Sequence, residues 1–211
     1  MPTLYLASAS PARLATLKQV GITPQLLDHS VDEHALVEEA TKSGPVPPSE
    51  MVQLLARAKA EDAATAHSIT GLVLGGDSLF EVDGEVFGKP HTAEVARERW
   101  HRQKGKTGTL HSGHELLYCE AGVIHRRAQL STSTRVTFVD DLSDEEIAAY
   151  ISSGEPLKVA GAFTIDSLGA GFIKSIEGDP YTVVGLSVWA LRSLVTELGF
   201  SYTDLWDHNR Q

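Results

Sequence analysis

Leu72-Val73-Leu74-Gly75-Gly76-Asp77-Ser78, followed by Gly88-Lys89-Pro90, is the stretch on which the reading of this chain turns. A short apolar run reads as a buried strand. It ends in two glycines, which let backbone and ligand approach closely, and then delivers a carboxylate and a hydroxyl. At a strand end Asp77 can bind a metal or take a proton from water. Lys89, in a rigid Gly-Lys-Pro turn, suits a fixed cation facing a phosphate. Together they describe a phosphate-ester site; a pair of ordinary turns is the competing reading.

Outward from that stretch, Thr3 to Ala7 is a short strand, broken by Ser8-Ala9-Ser10-Pro11. Ser10 suits a helix cap and Pro11 the first helical position, and Gly21 stops the helix that follows. Ser8 and Arg13 therefore sit at a strand-to-helix junction, where free N–H groups favour anions. Gln25 to Asp28 reads as a second strand and His29 to Pro48 as an irregular, acidic loop. Glu50 to Ala66 carries Met51, Leu54, Leu55 and Ala58 at helical spacing. Leu72–Asp83 and Glu85–Phe87 form a hairpin about Asp83-Gly84. Thr92 to Gln103 reads as a helix and Gly105 to Gly108 as a loop. Thr109–Tyr118 and Val123–Val139 read as long strands with half-buried alternation. Ser143 and Glu146 make a capping box. Short strands are expected at Ala162–Ile165 and Phe172–Ile176, and a helix over Ser187–Leu198 ended by Gly199.

The chain has 211 residues, 42% of them hydrophobic, and a net charge of −10. The acidic balance argues against general nucleic-acid binding and against an anionic membrane surface. Cys119 is the single cysteine, which fits a reducing cytoplasm. The N-terminus lacks the basic and apolar regions of a signal peptide, and no run approaches a membrane span. The expectation is a cytoplasmic protein with no membrane or nucleic-acid partner.

No P-loop is present, and Gly169-Ala170-Gly171 lacks the third glycine of a dinucleotide fingerprint. His111 and His114 in a strand would place their rings on opposite faces, and no cysteine pair supports zinc.

Four further segments join the first in order: Leu6-Ala7-Ser8-Ala9-Ser10-Pro11-Ala12-Arg13; Val31-Asp32-Glu33; Leu55-Ala56-Arg57-Ala58-Lys59-Ala60; and Gly161 to Gly169 running on to Ile176–Leu186. With Gly76-Asp77-Ser78 and Gly88-Lys89-Pro90 they resemble the Maf family of nucleoside triphosphate pyrophosphatases, from Leu4 to about Gly199. The resemblance implies a mixed α/β (α+β) fold similar to the inosine triphosphatases, with a central mixed sheet. It also implies a single domain, residues 1–211, with two lobes and an active-site cleft. Its chemistry is hydrolysis of a nucleoside triphosphate to the monophosphate and pyrophosphate, with a divalent cation, Mg²⁺ or Mn²⁺. The family's catalytic acidic residue, its proton acceptor, falls on Asp77, its phosphate contacts on Ser8, Arg13, Lys59 and Lys89, and its acidic position after the first helix on Glu33, a metal ligand. Asp77 is a second candidate for the metal. Ser78 and Asp166 fall on substrate-binding positions. Family analogy suggests a homodimer.

The physical logic agrees. Cations and helix N–H groups offset a triphosphate's charge, and Mg²⁺ needs only one or two carboxylates. The chain departs from relatives that prefer thymidine or uridine triphosphates, which carry arginine at the Ala12 position, threonine at Ser78 and glutamine at Asp166. It departs also from a subgroup acting on 7-methylguanosine triphosphate, with tryptophan at Ala12 and glutamate at Asp166. Asp166 is acceptor-only, which suits the adjacent N–H donors of guanine better than a pyrimidine edge. The expected role is removal of non-canonical nucleotides. The alternative is a nucleotide-binding regulator of cell division with little catalysis.

Overall fold

The structure, a computed structural model, describes residues 2–210. It is a mixed α/β protein with a seven-stranded sheet. The strands are β1 (Leu4–Ala7), β2 (Gln25–Leu26), β3 (Gly71–Val82), β4 (Glu85–Phe87), β5 (Thr107–Glu120), β6 (Val123–Phe138) and β7 (Ile173–Glu177). Their order is β2-β1-β3-β5-β6-β7, with β4 paired to β3. The helices are α1 (Pro11–Gln19), α2 (Glu33–Thr41), α3 (Pro48–Ala66), α4 (Ala93–Gln103), α5 (Asp144–Ser152), α6 (Pro180–Val184) and α7 (Val188–Glu197).

The chain divides into two compact units. The first comprises Met1–Asp77, Ser112–Thr132 and Gly185–Gln211; the second, Ser78–His111 and Ser133–Val184.

In the first unit β1 runs parallel to both β2 and β3, with Ala7 opposite Gly75. Parallel strands are covered on both faces and so read as unbroken apolar runs. Alternation along β1 and β3 sends Leu4, Leu6, Leu72 and Leu74 into one core with Leu17, Leu191, Leu194 and Leu198. Ala7 and Val73 face the other way, against Ala60, Ala63 and Ala64 of α3. The junction after β1 forms as its residues dictate. Ser10 Oγ accepts the Arg13 N–H and Pro11 is the first helical residue. Gly21, at φ 76°, closes α1 as the Ile22 N–H reaches the Leu17 carbonyl at 2.9 Å, the six-to-one bond of a Schellman ending.

The second unit packs Phe80, Trp100, Phe138, Tyr150 and Phe163 in one core. Trp100 satisfies its indole N–H on the Ala162 carbonyl at 2.9 Å. The β3–β4 hairpin turns at Asp83 and Gly84, both at positive φ, as a type I′ turn requires. The capping box at Ser143 and Glu146 forms.

Three expectations fail. The segment from His29 to Pro48 is not an irregular loop: it contains α2, capped by Asp32, whose side chain accepts the Ala35 N–H at 3.0 Å. No residue of α2 is buried, so the helix leaves no apolar stripe to read. Ala162–Ile165 is not a strand. Gly161 and Ala162 take φ 73° and 61° and a 3-10 turn occupies Ala160–Ala162. The Gly105–Gly108 loop is shorter than expected, because β5 already begins at Thr107.

Candidate functional site

Helix α3 lies unusually close to the strands beneath it. A Cβ on Gly75 would stand 2.2 Å from the Ala56 carbonyl oxygen and 2.8 Å from Ala60 Cβ, and one on Gly113 would stand 2.3 Å from the Val52 carbonyl oxygen. Glycines on the sheet and alanines on the helix together permit this approach. The buried stripe of α3 includes one charged residue, Lys59, whose side chain is 6% exposed.

Lys59 Nζ lies 2.7 Å from Asp77 Oδ1 and 2.9 Å from Glu33 Oε1. Asp77 follows the Gly75-Gly76 pair of β3, and Glu33 opens α2 immediately after its cap. Two carboxylates from distant parts of the chain thus meet at one ammonium.

Arg13 stands close by on α1. It is buried, donates from Nε to the Gly185 carbonyl at 2.8 Å and from Nη1 to Ser8 Oγ at 2.9 Å. Its stem lies flat on the Gly76 backbone: a Cβ there would be 3.0 Å from Nε. Burial lowers the guanidinium's pKa, and the charges of Asp77 and Glu33 oppose that effect. Ser8 Oγ also accepts the Ser10 N–H at 3.3 Å, so the hydroxyl ties the start of α1 to the arginine. The first unit therefore brings together Ser8, Arg13, Glu33, Lys59 and Asp77.

Ser78, Lys89 and Asp166 belong to the second unit. Lys89 is exposed, and its ammonium has no side-chain or backbone partner among the described residues. Its turn is secured through Gly88, whose carbonyl accepts from the Arg99 guanidinium and from the Gly161 N–H. Arg99 in turn sits over the Phe87 ring at 5.4 Å. Asp166 is exposed, on the turn between Thr164 and Gly169. His111 and His114 part as expected. His111 contacts Ser133 and Glu81, while His114 lies within hydrogen-bond distance of the Leu130 carbonyl and accepts the Ser187 N–H.

For a metal, the donor set near Lys59 is the carboxylates of Glu33 and Asp77. Among the described residues no group of three or more His, Cys, Asp or Glu comes together as a metal site. Two hard oxygen donors suit Mg²⁺, which keeps waters and takes substrate phosphate oxygens for the rest. They do not suit zinc in a closed protein site.

The Gly185 carbonyl that holds Arg13 escaped the sequence reading, since a backbone acceptor has no residue signature.

The sequence pattern of the family described as Maf-like protein matches residues 3–198. A nucleoside triphosphate pyrophosphatase of Leifsonia xyli is 54% identical, over 97% of this chain and 96% of that protein. One of Salinispora tropica is 48% identical, over 96% of this chain and 87% of that protein. Among solved structures, the Staphylococcus aureus Ham1 protein aligns with 65% of this chain and 72% of its own at 14% identity, with a TM-score of 0.41.

Proposed function

The chain belongs to the Maf-like protein family, and on that premise we propose that it is an enzyme, a nucleoside triphosphate pyrophosphatase that releases a nucleoside monophosphate and pyrophosphate. The observation that carries the reading is the meeting of Lys59 with Asp77 and Glu33 beside the buried Arg13. A cation-lined helix start next to paired carboxylates is what a polyphosphate with a divalent ion requires.

Each residue then has a task. Arg13 and Ser8, fixed to each other, take phosphate oxygens at the start of α1. Lys59 holds Asp77 in place and offsets phosphate charge. Glu33 and Asp77 would hold Mg²⁺ or Mn²⁺, which when bound would neutralise charge building on the departing pyrophosphate. Asp77 orients the attacking water and accepts its proton. Lys89 contributes a further cation from a turn that Gly88 secures, and Ser78 a hydroxyl.

Asp166 meets the nucleobase. An ionised carboxylate only accepts. It matches guanine N1–H and its exocyclic amine, and it opposes the two carbonyls that flank the single N–H of uracil or thymine. The substrates are guanine-type triphosphates, including modified ones, and the cellular role is clearing non-canonical nucleotides in the cytoplasm.

The test is pyrophosphate release from a panel of nucleoside triphosphates, with Mg²⁺, with Mn²⁺ and after chelation. Pyrophosphate with the matching monophosphate, lost on chelation, is the expected result. Orthophosphate as the product would overturn the reading. Nucleotide binding without any hydrolysis would favour the regulator of cell division instead.

A further inference from the structure

Glu155 opens the 3-10 turn Glu155–Lys158 just beyond α5. Its own N–H donates to Ser153 Oγ at 3.2 Å, which fixes the backbone from which the side chain extends. Its Oε1 accepts from Tyr150 Oη at 2.9 Å, Thr164 Oγ1 at 2.5 Å and the Gly169 N–H at 3.0 Å, and its Oε2 from the Leu168 N–H at 3.2 Å. The Ser167 side chain is a further donor. Partial burial alone would raise this carboxyl's pKa, but the donors from Thr164, Ser167, Gly169 and Tyr150 outweigh it and hold it at about 2.

All but one of those donors come from Thr164–Gly169. Ile165 packs against the core of the second unit and Gly169 is buried, but the three residues between them have no such cover. Asp166, Ser167 and Leu168 are exposed in succession, and Leu168 is 62% exposed despite its apolar side chain. Ordering such exposed residues costs backbone entropy. The carboxylate grips the turn on both sides of Asp166, at Thr164 before it and at Leu168 and Gly169 after it. The far end admits only glycine: a Cβ at Gly169 would stand 2.5 Å from Tyr150 Oη and 2.7 Å from the Thr164 carbonyl oxygen. Three residues before the turn, the Gly161 N–H reaches the Gly88 carbonyl, next to Lys89, at 3.4 Å.

We propose that Glu155 is a positioning residue for base recognition, holding the Thr164–Gly169 turn so that Asp166 and the apolar side chain of Leu168 meet the nucleobase in one preset arrangement. The inference rests on the reading of Asp166 as the base-contacting residue. Asp166 supplies acceptors to the base edge and Leu168 an apolar surface to its face, while Glu155 touches no part of the substrate. Its contribution is preorganisation: the turn is ordered before the nucleotide arrives, so ordering is not charged against binding. Loss of Glu155 should then weaken binding and blur base selectivity while leaving the chemical step intact.

The experiment measures KM and kcat for a guanine and a uracil triphosphate in the parent, Glu155→Gln, Glu155→Ala and Asp166→Asn. Amide hydrogen exchange at Leu168 and Gly169 and the melting temperature are recorded for each protein. In Glu155→Gln an amide N–H₂ meets groups that all donate. The expected result is a KM for the guanine nucleotide raised about tenfold or more, as for loss of a charge-assisted bond. It comes with kcat retained, a guanine-to-uracil ratio drawn toward unity, and faster exchange at Leu168 and Gly169. Parental KM and ratio in both Glu155 variants, with the ratio lost in Asp166→Asn, would overturn the positioning role and leave the reading of Asp166 standing. A parental ratio in Asp166→Asn would remove the base contact itself, and this proposal with it. Should the Glu155 variants fail to fold, Thr164→Val and Tyr150→Phe each remove a single donor. A raised KM in either, with kcat retained, supports the role, and no change in both overturns it.

Discussion

Lys59 and Asp77 form an ion pair of 2.7 Å although eighteen positions separate them. The pair exists because α3 can descend onto β3 at Gly75 until its backbone almost touches the strand. Asp77→Asn keeps the side-chain shape and removes the charge. It should leave the melting temperature near the parental value and abolish most pyrophosphate release. Parental turnover in the purified variant would overturn the catalytic role proposed for Asp77.

Lys59→Ala and Lys89→Ala should each lower kcat/KM for a triphosphate by roughly ten- to a hundredfold, as expected for about 1.5–3 kcal/mol per hydrogen bond to a charged group. Arg13→Lys should be comparably costly, because one ammonium cannot serve the Gly185 carbonyl, Ser8 and a phosphate in a fixed fork. Steady-state kinetics on the three variants check this. Unchanged constants throughout would move the phosphate site elsewhere.

Gly75→Ala introduces a methyl 2.2 Å from a backbone oxygen of α3. The helix must move away, at a cost of about 1–3 kcal/mol for an overpacked core. Lys59 moves with it. The expected outcome is a lower melting temperature together with a lower kcat. A stable variant with parental turnover would show that the close approach of α3 is dispensable.

Glu115 has a side chain with no exposed area, an Oε1 without a hydrogen-bond partner, and an Oε2 that accepts from Gln53 Nε2 at 3.2 Å. Burial pushes its pKa up to about 7, against the opposing charges of Arg127 and Arg57. An unfolded glutamate ionises near ~4.3. Between that pH and about 7 the unfolded chain has released a proton that the folded chain still keeps. Stability from this group is therefore full below the unfolded value and is lost as pH rises through the folded one. Glu115→Gln should abolish the loss. The melting temperature of the variant relative to the parent should climb across this window and level off above it. Melting curves collected over that range would reject the assignment if the difference stayed constant.

Asp166→Gln exchanges an acceptor-only group for one that also donates. The ratio of kcat/KM for guanine over pyrimidine triphosphates should fall. A parent that already prefers pyrimidines, or a ratio that the substitution leaves alone, would take Asp166 out of base recognition.

The parts of this protein legible in its sequence are those where one residue type has few alternatives. Ser10-Pro11 had to begin a helix, Asp83-Gly84 had to turn, and an apolar run as dense as Leu72-Val73-Leu74 had to be covered on both faces. The cluster of Ser8, Arg13, Glu33, Lys59 and Asp77 was reachable through the resemblance of the ordered segments, not through any one of them. Helix α2 was illegible because it buries nothing. The anchors of Arg13 and of the Thr164–Gly169 turn were illegible for another reason: each depends on a partner that only the folded backbone brings near.

The hydrogen bond from Arg13 to the Gly185 carbonyl spans 172 positions. It is seconded by Asp207, whose N–H reaches the Gly21 carbonyl and whose carboxylate takes both the N–H and the hydroxyl of Thr23. The strand β1 and helix α1 are therefore tied to segments far along the chain. Contacts so distant in sequence delay folding, since loop closure must precede their reward. Removing the Gly185 carbonyl would take away one of the bonds that fix the Arg13 guanidinium, so the order of this helix start depends on a segment far along the chain.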